Sequence, residues 1–180
     1  MMKVLIIEDN DYKLDNAVRI LESHGITNRV HVNNNMEAYR MCFRQNLLDE
    51  IDFIILDIQF FEYKPLIGDR QMPDQYAGYK FLLRLASASK SIPVFIFSSV
   101  NSFEEGYKEF LFPPFSEYRK KFDSSPIFYR ESYCYNKYSE EMRSNEEIQK
   151  KTLSFVIGHA HNDYELETLI KNYLSSNNQS

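Results

Sequence analysis

The sequence predicts an α/β fold: a five-stranded parallel sheet, doubly wound, with helices on both faces in three layers. Two observations predict it. Between residues 3 and 97, short apolar runs rich in β-branched residues alternate with segments whose apolar residues repeat at helical spacing. The same strand-then-helix pattern returns between residues 153 and 174 and supplies the fifth pair.

Lys3–Ile7 (KVLII) reads as the first buried strand. Leu14, Ala17, Val18 and Leu21 recur at i, i+3, i+4 and i+7, a helix with one apolar face that Gly25 closes. Arg29–Val32 alternates like a second strand. Asn35 is positioned to cap a helix reaching Asp49, with Met36, Tyr39, Phe43 and Leu47 as its buried stripe. Phe53–Ile58 (FIILDI) is the most apolar strand and carries Asp57 near its carboxyl end. Residues 59–75 hold Pro65, Gly68 and Pro73 and read as a loop. Tyr79, Leu82, Leu83 and Ala86 mark a third helix. Pro93–Phe97 (PVFIF) is the fourth strand and ends in Ser98 and Ser99. Residues 101–150 hold Pro113-Pro114, many aromatics and a charged stretch from Asn136 to Lys151 that is helical in part. Leu153–Ile157 (LSFVI) is expected as the fifth strand, and Leu166, Leu169, Ile170, Tyr173 and Leu174 as the face of the last helix.

Composition narrows the class. With 180 residues, the chain suits one domain over 1–180 with enlarged segments at 59–75 and 101–150. No apolar run approaches the ~20 residues that span a bilayer, and a strand pattern so near the first residue argues against a signal peptide. Cys42 and Cys134 make no disulfide framework and fit a reducing cytoplasm. A net charge of -5 argues against direct nucleic-acid binding, which needs clustered Lys and Arg.

In parallel sheets of this kind, ligands bind beyond the carboxyl ends of the strands. Glu8 and Asp9 end the first strand, Asp57 the third and Ser98 the fourth. Carboxylates crowded there repel one another unless a cation lies among them, and oxygen ligands suit Mg²⁺. A carboxylate that attacks phosphorus forms an aspartyl-phosphate. Read singly, an acidic pair after a strand is a turn or helix cap, and one Asp or Ser at a strand end is structural. Together, each at the matching end, they mark a site.

These residues resemble the receiver domains of two-component response regulators. Lys3-Val4-Leu5-Ile6-Ile7-Glu8-Asp9-Asn10 looks like the family's first strand with its metal-binding acidic pair, and Ile54-Ile55-Leu56-Asp57-Ile58 like its phosphoacceptor strand. Met72-Pro73 followed by Gly78 is similar to the family's Met-Pro…Gly signature. Pro93-Val94-Phe95-Ile96-Phe97-Ser98 looks like the fourth strand with its switch hydroxyl. The resemblance implies a flavodoxin-like sheet of order 2-1-3-4-5, enlarged between strands 4 and 5. It implies Mg²⁺ on Glu8, Asp9, Asp57 and the main-chain carbonyl of Gln59. It further implies Asp57 as phosphoacceptor from a histidine kinase or phosphotransfer protein, and Ser98 as the switch hydroxyl. No residues are left for a DNA-binding or catalytic output domain, so output is expected through contacts with a downstream protein.

Three departures stand out. The stretch from Asp57 to Met72 is long, and the Pro73-to-Gly78 spacing is one residue longer than usual. Residues 101–150 far exceed the family's single helix. The family's Lys at the end of the fifth strand is missing, and His159 stands at its place, followed by Ala160. An alternative alignment takes Pro126–Glu131 as the fifth strand and brings Arg130 toward the site. Lys90, Lys120 and Lys121 show no pattern that makes one of them the missing Lys. His159 and His161, separated by one residue, also permit a metal pair.

Three functions remain open: a stand-alone phosphorylatable receiver, a phosphorylation-independent pseudo-receiver, and a Mg²⁺-dependent phosphohydrolase. The lost Lys and the Phe and Tyr residues between 103 and 138 favour the second; packed over the domain's own core, those aromatics carry no function. Gln59, where a haloacid-dehalogenase-like site would carry a second Asp, argues against the third.

Overall fold

The computed structural model describes residues 1–62, 72–74, 77–88, 91–111 and 145–177. The strands are β1 (Lys3–Ile7), β2 (Asn28–Val32), β3 (Phe53–Leu56), β4 (Phe60–Glu62), β5 (Met72–Asp74), β6 (Val94–Phe97) and β7 (Val156–Ala160). The helices are α1 (Asp11–Ser23), α2 (Asn35–Phe43), α3 (Ala77–Ser87), α4 (Phe103–Leu111), α5 (Glu146–Phe155) and α6 (Asp163–Asn177). Five strands form one sheet in the order β2-β1-β3-β6-β7, every pairing parallel. Taking β6 and β7 as its fourth and fifth strands, this is the 2-1-3-4-5 order of the flavodoxin-like fold. Among the described residues, no helix is long and apolar enough to cross a membrane.

Strand alternation sorts the core into two layers. Leu5 and Ile7 of β1, Ile54 and Leu56 of β3, and Val94 and Ile96 of β6 face α2, α3, α4 and α5, where Leu82, Phe103 and Phe155 meet them. The intervening residues Val4, Ile6, Phe53, Ile55, Phe95 and Phe97 face α1 and α6 and pack on Ala17, Leu21, Leu166 and Ile170. With both faces covered, the central strands are apolar throughout. That explains runs such as FIIL and VFIF, each buried at every position.

Local chemistry sets the helix ends. Asn10 caps α1 by accepting from Lys13 N at 3.1 Å. Gly25 leaves α1 at φ +76°, a conformation that favours glycine. Asn34, rather than Asn35, caps α2, accepting from Glu37 N at 2.7 Å. That helix stops at Phe43 instead of running to Asp49. Asn46 turns into the left-handed region at φ 58°, and Leu47–Asp49 continues as a 3₁₀ turn. Tyr39 and Phe43 of the expected stripe reach the core through Phe81, whereas the Met36 side chain lies outside the described residues.

Two other expectations are corrected. Residues 59–75 are not all loop: Phe60–Glu62 pairs antiparallel with Met72–Asp74. Pro73 suggested a break, but a ribbon of two strands has free edges that accept proline. The last strand is Val156–Ala160, not Leu153–Ile157. Asn145 caps α5 through Glu147 N and Ile148 N, and the helix carries through Phe155. Thr152 and Phe155 are buried and Ile148 packs beside them, while Leu153 is exposed. That is helical spacing inside an apolar run that looked like a strand. Pro65, Gly68, Pro113-Pro114, Lys90, Lys120, Lys121, Arg130 and Cys134 lie outside the described residues.

Candidate active site at the carboxyl edge of the sheet

The first residues past three neighbouring strands extend the ladder and converge. Glu8 N donates to Val32 O (3.1 Å), Asp57 N to Ile7 O (2.9 Å) and Ser98 N to Ala160 O (3.1 Å). These bonds fix the three backbones at one edge. Ligand atoms of Glu8, Asp9 and Asp57 lie within 4.8 Å of one another. Glu8 and Asp57 are almost wholly buried, at 2% and 4% exposure, and Asp9 is half-buried.

Each carboxylate is held differently. Asp57 Oδ1 accepts from the main-chain N–H groups of Ile58 (2.6 Å) and Gln59 (3.3 Å). Asp57 Oδ2 accepts from Lys13 Nζ at 2.7 Å. Glu8 Oε1 accepts from Asn10 N at 2.9 Å. Glu8 Oε2 has no hydrogen-bond partner and lies 3.3 Å from Lys13 Nζ. Burial, then the charge of Asp57, pushes the Glu8 carboxyl up to about 8, against the pull of Lys13. Burial alone would lower the Lys13 ammonium, but the Asp57 and Glu8 carboxylates outweigh it and hold Lys13 above its ordinary value.

Gly78 lets α3 approach this edge. Its N–H donates to Ile58 O at 2.9 Å. A Cβ there would strike the Asp57 carbonyl oxygen and come within 2.7 Å of Ile58 Cα. The glycine at position 78 therefore has a steric basis at the residue that carries the carboxylate.

No family model and no curated protein matches the chain. Solved structures do. One is a response regulator receiver domain protein from Clostridium thermocellum, 14% identical, covering 99% of this chain and 98% of that one at a TM-score of 0.50. Another is the signal receiver domain of an HD domain-containing protein from Pseudomonas fluorescens Pf-5. It is 9% identical and covers 99% and 98% of the two chains, also at 0.50. The chain has the receiver-domain fold of response regulators.

Within this receiver fold, Ser98 is 1% exposed, and its Oγ finds no hydrogen-bond partner. A buried hydroxyl without a partner costs stability. His159 stands near the end of β7, beside Ser98, but its ring does not pair with Asp57. Its Nε2 lies 2.9 Å from Ser98 O, and its ring packs on His161 with centroids 4.1 Å apart. Burial lowers the His159 pKa, partly offset by the Ser98 bond. Among the described residues, the group of three or more potential metal ligands is Glu8, Asp9 and Asp57, and the histidine pair lies outside it.

The acidic group fits a hard divalent cation. Its donors are all oxygen, two of the carboxylates are buried, and Glu8 Oε2, which accepts no hydrogen bond and has Lys13 Nζ 3.3 Å away, is the kind of atom a metal satisfies. Sequence reading missed Lys13. The available signal is its spacing: four residues beyond Asp9, in the first turn of α1, it lies over the same strand end.

Proposed function

We propose that this protein is a cytoplasmic receiver that accepts a phosphoryl group on Asp57 in a phosphorelay and signals through protein contacts. The observation that carries the reading is the buried Asp57 carboxylate, with Oδ1 fixed by two main-chain amides and Oδ2 facing an ammonium. The donor would be the phosphohistidine of a histidine kinase or phosphotransfer protein. As the Asp57 Oδ–P bond forms, the phosphorus–donor bond breaks and the leaving group takes its electron pair. Mg²⁺ on Glu8, Asp9, Asp57 and the Gln59 carbonyl would offset charge on the transferring oxygens. The main-chain amides of Ile58 and Gln59 orient the carboxylate. The unpartnered Ser98 hydroxyl is available to donate to a phosphoryl oxygen, which would draw the β6 end inward.

A second reading is a phosphorylation-independent interaction module. It is favoured by one observation: Lys13 already ion-pairs with both buried carboxylates.

The test is intact mass after incubation with acetyl phosphate or phosphoramidate and Mg²⁺, beside Asp57→Asn. A phosphate-sized adduct absent from the variant supports the receiver. No adduct, together with no Mg²⁺ binding by titration, supports the interaction module.

A further inference from the structure

We propose that Lys13 is the phosphate-pairing ammonium of this site, delivered from α1 to the Asp57 carboxylate that the His159 ring does not reach. The inference rests on Asp57 being the phosphoacceptor and names the residue that makes it competent.

Four features hold the Lys13 ammonium in place. Its Nζ donates to Asp57 Oδ2 at 2.7 Å and lies 3.3 Å from Glu8 Oε2. It lies 3.4 Å from the carbonyl of Phe97, the residue before Ser98, and 5.6 Å from the Phe97 ring centroid. The first turn of α1 is anchored below it by the Asn10 cap on Lys13's own N–H. The α1 helix is in turn tied to α6, since Asn16 Nδ2 donates to Asp163 Oδ1 at 3.1 Å. The ammonium is thus directed between the carboxyl ends of β3 and β6, where a phosphoryl group on Asp57 Oδ2 would project.

Phosphorylation moves the charge from the oxygen that Lys13 contacts to the phosphoryl oxygens attached to it, and adds to it. In the transfer, the Asp57 Oδ2–P bond forms and the donor's P–O or P–N bond breaks. Lys13 keeps its protons and moves from the carboxylate oxygen to a phosphoryl oxygen. An ammonium is suited to this as a compact point charge on a flexible stem. The move also releases Glu8 and Asp57 from Lys13, so the charge it neutralises without metal is exchanged for the charge of the phosphoryl group. His159 takes no part: its ring is engaged with the Ser98 carbonyl.

The experiment compares wild type, Lys13→Gln, Lys13→Arg and the double variant Lys13→Gln/His159→Lys in the full chain. It reads three quantities: the rate of the Asp57 adduct from acetyl phosphate, the affinity for beryllofluoride as a phosphoryl mimic, and the affinity for Mg²⁺ alone. Lys13→Gln is expected to slow the adduct and weaken beryllofluoride by about tenfold or more, with Mg²⁺ bound at least as tightly as by wild type. Lys13→Arg should fall between, and the double variant should recover at least part of the loss by supplying an ammonium from β7. A Lys13→Gln protein phosphorylated within twofold of the wild-type rate overturns the inference and leaves Asp57 as acceptor. A loss of Mg²⁺ binding parallel to the loss of phosphorylation also overturns it, because Lys13 then only holds the site together. No adduct on wild type overturns the reading of Asp57, and the inference with it.

Discussion

Replacing Lys13 by Met should destabilise the metal-free protein in a way that depends on pH and that Mg²⁺ reverses. The Lys13 side chain is 21% exposed, and it is the cation on carboxylates that are 5% and 2% exposed. Breaking a buried pair by removing one partner costs about 3–5 kcal/mol, because the remaining charge stays in a medium that solvates it poorly. The structure narrows this range. Glu8 already binds its proton up to about pH 8, so near pH 6 it is neutral in both proteins and the loss falls on Asp57 alone. The cost there should lie near the lower figure, about 3 kcal/mol. Above pH 8 the wild-type protein ionises Glu8 beside Lys13, while in the variant Glu8 keeps its proton to higher pH. The difference between the two proteins therefore widens toward pH 9.

In a protein of this size about 3 kcal/mol corresponds to a fall of roughly 6–12 °C in Tm. The assay is thermal unfolding in EDTA at pH 6 and pH 9, repeated with Mg²⁺. A Mg²⁺ concentration about a hundred times Kd returns about 2.7 kcal/mol, most of the loss at pH 6. Variant and wild type within about 3 °C of each other in EDTA at both pH values would refute the electrostatic account of the site.

Wild-type stability in EDTA should itself fall as pH rises from 6 to 9. The folded Glu8 pKa is raised above its unfolded value, so its contribution is full below the ordinary carboxylate range and is lost as pH rises through about 8. Calorimetric titration should show Mg²⁺ binding releasing a proton below pH 8 and none well above it, since the ligand must be ionised. Ser98→Ala removes a buried hydroxyl that has no partner, so the resting protein should gain up to about 1 kcal/mol in urea unfolding. The same variant should lose part of the beryllofluoride-induced stabilisation. Gly78→Ala places a Cβ against the Asp57 carbonyl and Ile58, and should cost about 1–3 kcal/mol in the same assay while weakening Mg²⁺ binding.

Much of the architecture was legible because the central strands are buried on both faces. Such strands advertise themselves as unbroken apolar runs, and each acidic or hydroxyl residue that interrupts one marks its carboxyl end. Glu8, Asp57 and Ser98 were found in that way, each the first residue past its strand. The edge was harder. Among the described residues β7 pairs only with β6, and Ile157 is exposed, so the strand lacks the signal of its neighbours. The apolar LSF segment before it belongs to a helix, whose spacing shows only when Ile148 and Thr152 are counted with Phe155. Lys13 was overlooked for another reason. A lysine in the first turn of an amphipathic helix reads as part of the solvated face, and only its spacing from Asp9 hints that its stem crosses the strand ends to Asp57.

The origin of the ammonium bears on how a signal would leave the site. A lysine on the last strand would tie β7 directly to the phosphoryl group. Lys13 would tie α1 to it instead, and β7 is connected through other contacts: Ser98 N to Ala160 O, and the His159 ring to Ser98 O. Ser98 is therefore a link between the strand end beside Asp57 and β7. On the far side of that link lies a pocket of about 490 Å³ between α4, α5 and β7, lined by Ser102, Phe103, Leu153, Val156 and His159. An inward turn of Ser98 would strain or release the His159 contact and so reach the wall of this pocket, with residues 112–144 joining the two helices that flank it. On this account His159→Ala should leave the Asp57 adduct rate within about twofold of wild type, since its ring does not touch the carboxylate. It should also reduce the beryllofluoride-induced change in amide hydrogen exchange across Val156–Ala160. An adduct rate that falls tenfold in His159→Ala would place the imidazole in the phosphoryl site and refute this route.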